Sequence, residues 1–381
     1  MPRTVLFLHS SAGRYGADLQ LLSMADGLDR SRFTPLCVLP ERGELTPLLE
    51  EAGAEVLTRP LAVLRRDLTP RGAAAMAAAV ARDRRSLARL ARERNVRLVH
   101  SNTSVVLSGQ ALARAAGAKH VLHVREIYTG AGGRAGGALW PLMRRRLLRA
   151  DAVACISEAV AAQFPPGRVS VLRDGLTRIP EPAGRSCARA ALGLEEEPFT
   201  VALIGRVSDW KGQDVLARAL AEPSLAEIGA VGLVAGDAWP GRERFEAELA
   251  SLRDRLGLGE RLRLLGYRED LDAVLGAADA VAVPSTRPEP LGLVALEAAA
   301  AGKPVVASAH GGLPEIVEDG TTGMLVPPGD HGRLAARLRE LADDPALGRR
   351  LGEAARARVR ERFGRERMLA ELHALYERLL G

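Results

Sequence analysis

Short apolar runs recur along the chain and alternate with stretches whose apolar residues fall three and four positions apart. In the first half the runs are TVLFLHS (4–10), TPLCVLP (34–40), AEVLTRP (54–60), RLVHSN (97–102), KHVLHVR (119–125), DAVACIS (151–157) and VSVLRDG (169–175). Each reads as a strand. The stretches between them, such as 75–94 and 105–116, have helical spacing, so the pattern predicts parallel βαβ units. RIPEPAGRS (178–186) is rich in Pro and Gly, lacks any period and reads as a linker. The alternation then restarts with FTVALIGRV (199–207), AVGLVAGD (230–237), RLRLLGY (261–267), DAVAVPS (279–285), KPVVAS (303–308) and GMLVPPGD (323–330).

The expected organisation is an α/β domain over 1–177, a linker over 178–197, a second α/β domain over 198–363, and a final helical segment over 364–381. In that segment Met368, Leu369, Leu372, Leu375, Tyr376, Leu379 and Leu380 share one helical face, which is expected to pack on the first domain. A length of 381 residues fits two cores better than one.

Composition narrows the class. With 47% hydrophobic and 26% charged residues, the chain has the balance of a soluble globular protein. Its three cysteines, Cys37, Cys155 and Cys187, are odd in number and far apart, and two lie in strand-like runs. Buried thiols in a reducing compartment are expected, not a disulfide or metal framework. No apolar stretch approaches the ~18 residues that cross a bilayer, and the N-terminal apolar run is too short for a signal peptide. A cytoplasmic location is the expectation.

The net charge of +6 is divided unevenly. Residues 1–180 hold 27 Arg and Lys against 15 Asp and Glu, a net of +12, and residues 181–381 hold 26 against 32, a net of −6. The first half is therefore expected to meet something anionic. Nucleic acid is disfavoured, because aromatic residues are only 3% of the chain and no stacking platform is visible. LWPLMRRRLLRA (139–150) interleaves apolar and basic residues on one short helix, a pattern suited to an anionic membrane surface or a lipid-phosphate acceptor. The other Arg clusters, at 82–85 and 92–94, read as solvated helix faces.

The chemistry concentrates in the second half. EPLGLVALEAAAAGKPVVAS (289–308) places Glu289 in a Pro-bracketed loop and Glu297 eight positions later, inside the helix that the loop opens. Strand, loop, helix and strand in that order put both carboxylates at the carboxyl edge of a sheet. Gly292 beside them permits close backbone approach to a ligand bearing hydroxyls and phosphate. GRVSDWKG (205–212) adds a guanidinium, Arg206, and an ammonium, Lys211, at the same edge, suited to a diphosphate.

GRVSDWKG, the AGDAWPGRERFE to LGYRED stretch, and PSTRPEPLGLVALEAAAAGKPVVASAHGGLPEIVEDGTTGMLVPPGD together resemble the nucleotide-sugar domain of GT-B glycosyltransferases. More narrowly they resemble glycosyltransferase family 4, the group 1 retaining enzymes. The resemblance covers 199–380 closely and the N-terminal half more loosely. It implies the GT-B fold, two Rossmann-like domains facing across a cleft, and glycosyl transfer from a nucleoside-diphosphate sugar to a hydroxyl acceptor with retention. A glycan or lipid-linked acceptor in cell-envelope synthesis is the implied partner.

By motif position, Arg206 and Lys211 would hold the diphosphate and Glu297 the ribose hydroxyls. Glu289 would lie against the donor sugar, and the backbone at Leu291, Gly292, Leu293 and Val294 against the distal phosphate. HSSAGRYGADLQLLSMADGL (9–28) resembles the family's first strand, glycine loop and helix, with Gly16 at the close-approach position and Asp18 where many relatives have Glu. HVREI (123–127) resembles the family's His position, so His123 would face the cleft and touch the donor sugar or orient the acceptor. Asn102 and Ser104 are candidates to line the cleft. LRDG (172–175) reads as a turn at the hinge.

Asp270-Leu271-Asp272 spells the metal signature of a different transferase fold, but it opens an amphipathic helix where acidic residues favour the helix dipole. No metal and no cofactor are expected. His9, His100 and His120 read as structural. Two rivals remain open: a nucleotide-sugar 2-epimerase of similar architecture, and a non-catalytic sugar-nucleotide-binding subunit.

Overall fold

The computed structural model describes residues 2–64, 70–128 and 133–381. It divides into two units, Met1–Thr177 with Arg365–Gly381, and Arg178–Gly364.

The first unit is a seven-stranded parallel sheet. Its strands are β1 (Arg3–Leu8), β2 (Phe33–Leu39), β3 (Glu55–Thr58), β4 (Val96–Ser101), β5 (Lys119–Val124), β6 (Ala152–Cys155) and β7 (Ser170–Val171). They lie in the order β3-β2-β1-β4-β5-β6-β7. The second unit has six parallel strands: β8 (Thr200–Ile204), β9 (Val231–Ala235), β10 (Leu262–Gly266), β11 (Ala280–Val283), β12 (Val305–Ser308) and β13 (Met324–Val326). Their order is β10-β9-β8-β11-β12-β13. Among the described residues each of the thirteen strands coincides with one apolar run, β1, β2 and β4 starting one residue ahead of it. The reason is physical: a parallel sheet is covered on both faces, so its strands read as short continuous hydrophobic runs.

Each unit has its own core. Val5, Phe7, Leu21, Met24, Phe33 and Leu98 are fully or almost fully buried in the first, and Val201, Leu216, Val234, Val306 and Leu338 in the second. The final helix, Arg365–Leu380, inserts Met368, Leu372, Leu375 and Tyr376 into the core of the first unit. Arg365 reinforces it with a bond to Ser23 Oγ at 3.1 Å and an ion pair to Asp26. The thiols of Cys37 and Cys155 are buried, and Cys187 is exposed.

The segment expected as a linker, 178–197, belongs to the second unit. Arg185–Ala191 is a helix that packs Ala188, with the following Leu192, against Leu233 and Ala277. Arg189 is fully buried there and bridges Ala277 O, Glu195 O and the Asp279 carboxylate. Pro and Gly at the start of the segment hide a short helix whose stability comes from this tertiary clamp.

Candidate functional site

In the second sheet the strand order reverses between β8 and β11. Such a switch point is where open α/β sheets take ligands at the carboxyl edge. The loop after β8 carries Lys211 and the loop after β11 carries Ser285 and Glu289. Lys211 Nζ lies 2.7 Å from Glu289 Oε1, and Ser285 Oγ donates to the same oxygen at 2.7 Å. Glu289 is 4% exposed, whereas the Lys211 side chain is 21% exposed. The carboxylate is thus enclosed and neutralised by a cation that keeps one side open.

Two glycines shape the loops around this pair. Gly212 has φ +81°, and a Cβ there would collide with the Pro284 carbonyl, so only glycine lets the β8 loop press against the end of β11. Gly292 has φ +103° and caps the helix Leu293–Ala300. The first-turn N–H groups of Leu293 and Val294 have no partner within the helix, and the positive end of the helix dipole favours an anion there. Leu291 is buried beneath them. Gly312 N braces the loop with a 2.7 Å bond to Glu289 O, and His310 Nε2 reaches Ser285 O at 2.8 Å.

Glu297 lies a turn further along the same helix, whose Ala295, Leu296, Ala298 and Ala299 fill the core. Burial pushes its carboxyl up to about 7, with Arg178 pulling the other way. Arg206 has separate partners. Its Nη1 donates to Asp237 Oδ1 at 3.1 Å and Ala238 O at 3.0 Å, and its Cζ lies 3.9 Å from the centre of the Trp239 ring. Burial lowers its pKa and Asp237 opposes the shift. The structure therefore joins Lys211 to Glu289, hangs Gly292, Leu293, Val294 and Glu297 on the adjoining helix, and gives Arg206 its own clamp.

The first unit has a second polar cluster, at the β1–β4 switch point of its sheet. Gly16 opens the helix Gly16–Asp26 after β1. Asp18 accepts from Tyr15 N at 2.9 Å and Ser11 Oγ at 2.5 Å, and pairs with His9 Nε2 at 2.7 Å. Asn102 Nδ2 donates to His9 Nδ1 at 3.0 Å, which places the ring proton on Nε2, facing Asp18. His9 and Asp18 are nine residues apart in sequence, and only the topology shows that they meet. Ser104 donates to Glu126 and lies 2.6 Å from the Tyr128 hydroxyl.

His123, read from the sequence as a residue that would touch the donor sugar or orient the acceptor, lies within the first unit. It is fully buried, with Nε2 3.4 Å from Leu172 O and Nδ1 3.4 Å from Arg125 Nη2. Burial drives its pKa well below the ordinary value, and Arg125 and His100 add to the shift. It is a neutral imidazole behind Arg125. Sequence reading passed over Arg125, which donates to Asn102 O at 2.7 Å and Asn102 Oδ1 at 2.9 Å and pairs with Asp174. Asp174, expected in a hinge turn, is 2% exposed and anchors that guanidinium. His100 and His120 are buried, with pKa values lowered by burial to about 3 and about 4.

Both acidic residues of the Asp-Leu-Asp motif are engaged by arginines. Arg268 Nε and Nη2 bond Asp270 at 2.8 and 2.6 Å, and Asp272 pairs with Arg178 while accepting from Glu181 N at 3.1 Å.

Residues 185–358 match the family model described as glycosyl transferases group 1, and residues 16–175 match the glycosyl transferase 4-like domain. The chain belongs to the group 1 glycosyltransferases. Its two parallel-sheet domains are those of the GT-B fold. HepE of Anabaena, solved with UDP-glucose, superposes with a TM-score of 0.83 at 29% identity, over 99% of this chain and 100% of that one. Sucrose-phosphate synthase of Thermosynechococcus elongatus shares the fold, with a TM-score of 0.82 at 24% identity over 99% of both chains. A D-inositol 3-phosphate glycosyltransferase of Streptomyces avermitilis is 42% identical over 207 residues, which are 52% of this chain and 44% of that protein. The chain spans about half the length of the curated relatives it matches.

Proposed function

We propose that this group 1 glycosyltransferase moves a glycosyl unit from a nucleoside-diphosphate sugar to a hydroxyl acceptor with retention at the anomeric carbon. The observation that carries the reading is the Lys211–Glu289 pair at 2.7 Å beside the Gly292-headed helix, on the switch point of the second sheet. A leaving diphosphate gains negative charge as the glycosidic bond breaks. Lys211, Arg206 and the helix N-terminus at Leu293 and Val294 offset that charge. Glu289 takes hydroxyls of the donor sugar, and Glu297 takes the ribose hydroxyls, which suit a carboxylate better than phosphate does. In this reading no carboxylate among the described residues is assigned the role of nucleophile. A front-face course follows, in which the departing phosphate oxygen receives the proton of the attacking hydroxyl.

Because protein cations and a helix end carry the charge, the reaction is proposed to run without a divalent metal. The UDP-glucose in HepE favours a UDP-sugar as the first donor to test. The net +12 of residues 1–180 favours an anionic acceptor. The curated relatives point to a phosphorylated polyol, and a lipid-linked phosphate is likewise anionic. The helix Gly133–Leu147 bears exposed Leu142, Arg145 and Arg146, which supports peripheral contact with an anionic membrane on the cytoplasmic side. No helix among the described residues is long and apolar enough to cross a membrane.

Thermal melting with UDP-, GDP- and ADP-sugars tests the donor reading. Stabilisation by one base class, and sugar transfer or slow donor hydrolysis that persists in EDTA, are expected. Isomerised donor without acceptor-dependent product would replace transfer by epimerisation. Donor binding with neither transfer nor hydrolysis would leave a binding subunit.

A further inference from the structure

Three backbone hydrogen bonds tie together the loops that leave β8, β9 and β10. Gly205 N bonds Ala235 O at 2.9 Å, Val207 N bonds Asp237 O at 2.9 Å, and Gly236 N bonds Gly266 O at 2.7 Å. The result places two half-exposed aromatic residues, Trp239 at 53% and Tyr267 at 52%, on neighbouring loops at the carboxyl edge beside Arg206. In a chain with 3% aromatic residues, an indole left this open at a ligand-binding edge needs a reason. Trp239 has a visible one, since its ring centre stands 3.9 Å from the Arg206 Cζ.

Arg206 is also held through Nη1, which donates to Asp237 Oδ1 at 3.1 Å and Ala238 O at 3.0 Å; the indole adds a contact to the face of the guanidinium. A planar guanidinium stacked on an indole loses most of its rotational freedom and stays charged. We propose that Trp239 is a positioning residue for Arg206, holding the guanidinium flat at the sheet edge so that it meets the donor diphosphate already oriented. This rests on the donor-site reading above. Trp239 touches no reacting atom in this scheme. Its effect should follow the phosphate groups of the ligand and be indifferent to the base.

The test is calorimetric binding of pyrophosphate, UDP and uridine to the full chain and to Trp239→Ala, Trp239→Phe, Arg206→Ala and the Trp239→Ala/Arg206→Ala double variant. Trp239→Ala should weaken UDP and pyrophosphate alike, by about 5- to 10-fold, the range of a cation–π contact. Trp239→Phe should stay within about twofold of the unaltered protein, because the ring face is kept. Uridine binding should not change, and Trp239→Ala should add nothing in the Arg206→Ala background. Unchanged affinity in Trp239→Ala overturns the proposal. So does a loss seen with UDP and uridine but not pyrophosphate, which would make the indole a base platform. Full additivity of the two substitutions overturns it as well. Failure of the unaltered protein to bind any of the three ligands would instead overturn the donor-site reading itself, and this inference with it.

Discussion

Lys211 and Glu289 neutralise each other at 2.7 Å, so in the proposed reaction an arriving diphosphate would compete with an internal carboxylate for the same ammonium. Ser285 also donates to Glu289 Oε1, which would keep the carboxylate in place if Lys211 turned to the ligand. Glu297 behaves differently, because burial raises it from 4.5 to about 7. An acid with a raised folded-state pKa contributes stability that is complete below its unfolded value and is lost as pH rises through the folded one. The protein alone should therefore lose stability between about pH 5 and pH 8 through this group, and Glu297→Gln should flatten that slope in thermal melts. Ribose hydroxyls favour the carboxylate form. UDP affinity should accordingly rise several-fold from pH 6 to pH 8 in the unaltered protein and stay level in Glu297→Gln. A pH-independent affinity in the unaltered protein would remove Glu297 from the ribose site.

At the scale of elements, the loops that position these groups depend on glycines with positive φ. Gly212→Ala should cost about 1–3 kcal/mol for the left-handed backbone. It should also push the β8 loop off the Pro284 carbonyl, separating Lys211 from Glu289. Gly329, with φ +77° and open space around it, is the control: its alanine variant should lose stability without losing UDP affinity. Equal UDP affinity in both variants would mean that the Gly212 contact does not set the site. Elements were the level most legible in the sequence, since thirteen apolar runs became thirteen parallel strands. The hydrophobic period reports burial directly, and parallel strands are buried on both faces. Partnerships were less legible. Lys211 and Glu289 are 78 positions apart, and His9 meets Asp18 and Asn102 only through the β1–β4 adjacency. The same blindness hid the helix Arg185–Ala191, whose stability comes from Asp279 and Ala277, residues far along the chain. His123 was placed correctly at a strand end, but no periodicity tells whether a ring there faces out or is enclosed.

At the scale of the whole molecule, the chain runs through the second unit and then returns its last helix to the first. Leu372 is fully buried in that helix. Leu372→Ala should cost about 2–5 kcal/mol, mostly against the first unit, and leave UDP-induced stabilisation of the second unit in place. Calorimetric melts that lose both together would show that the two units unfold as one. The charge division predicts that co-sedimentation with anionic vesicles at low salt depends on Arg145 and Leu142, and that about 0.5 M salt abolishes it. The central claim is that Lys211 serves a leaving diphosphate. It is tested most directly by nucleoside-diphosphate release from the donor sugar that binds, compared between the unaltered protein and a Lys211→Ala variant shown by circular dichroism to be folded. The account predicts a fall of about 100-fold or more in kcat, the scale of a lost charge-stabilising group. Turnover near that of the unaltered protein would contradict it.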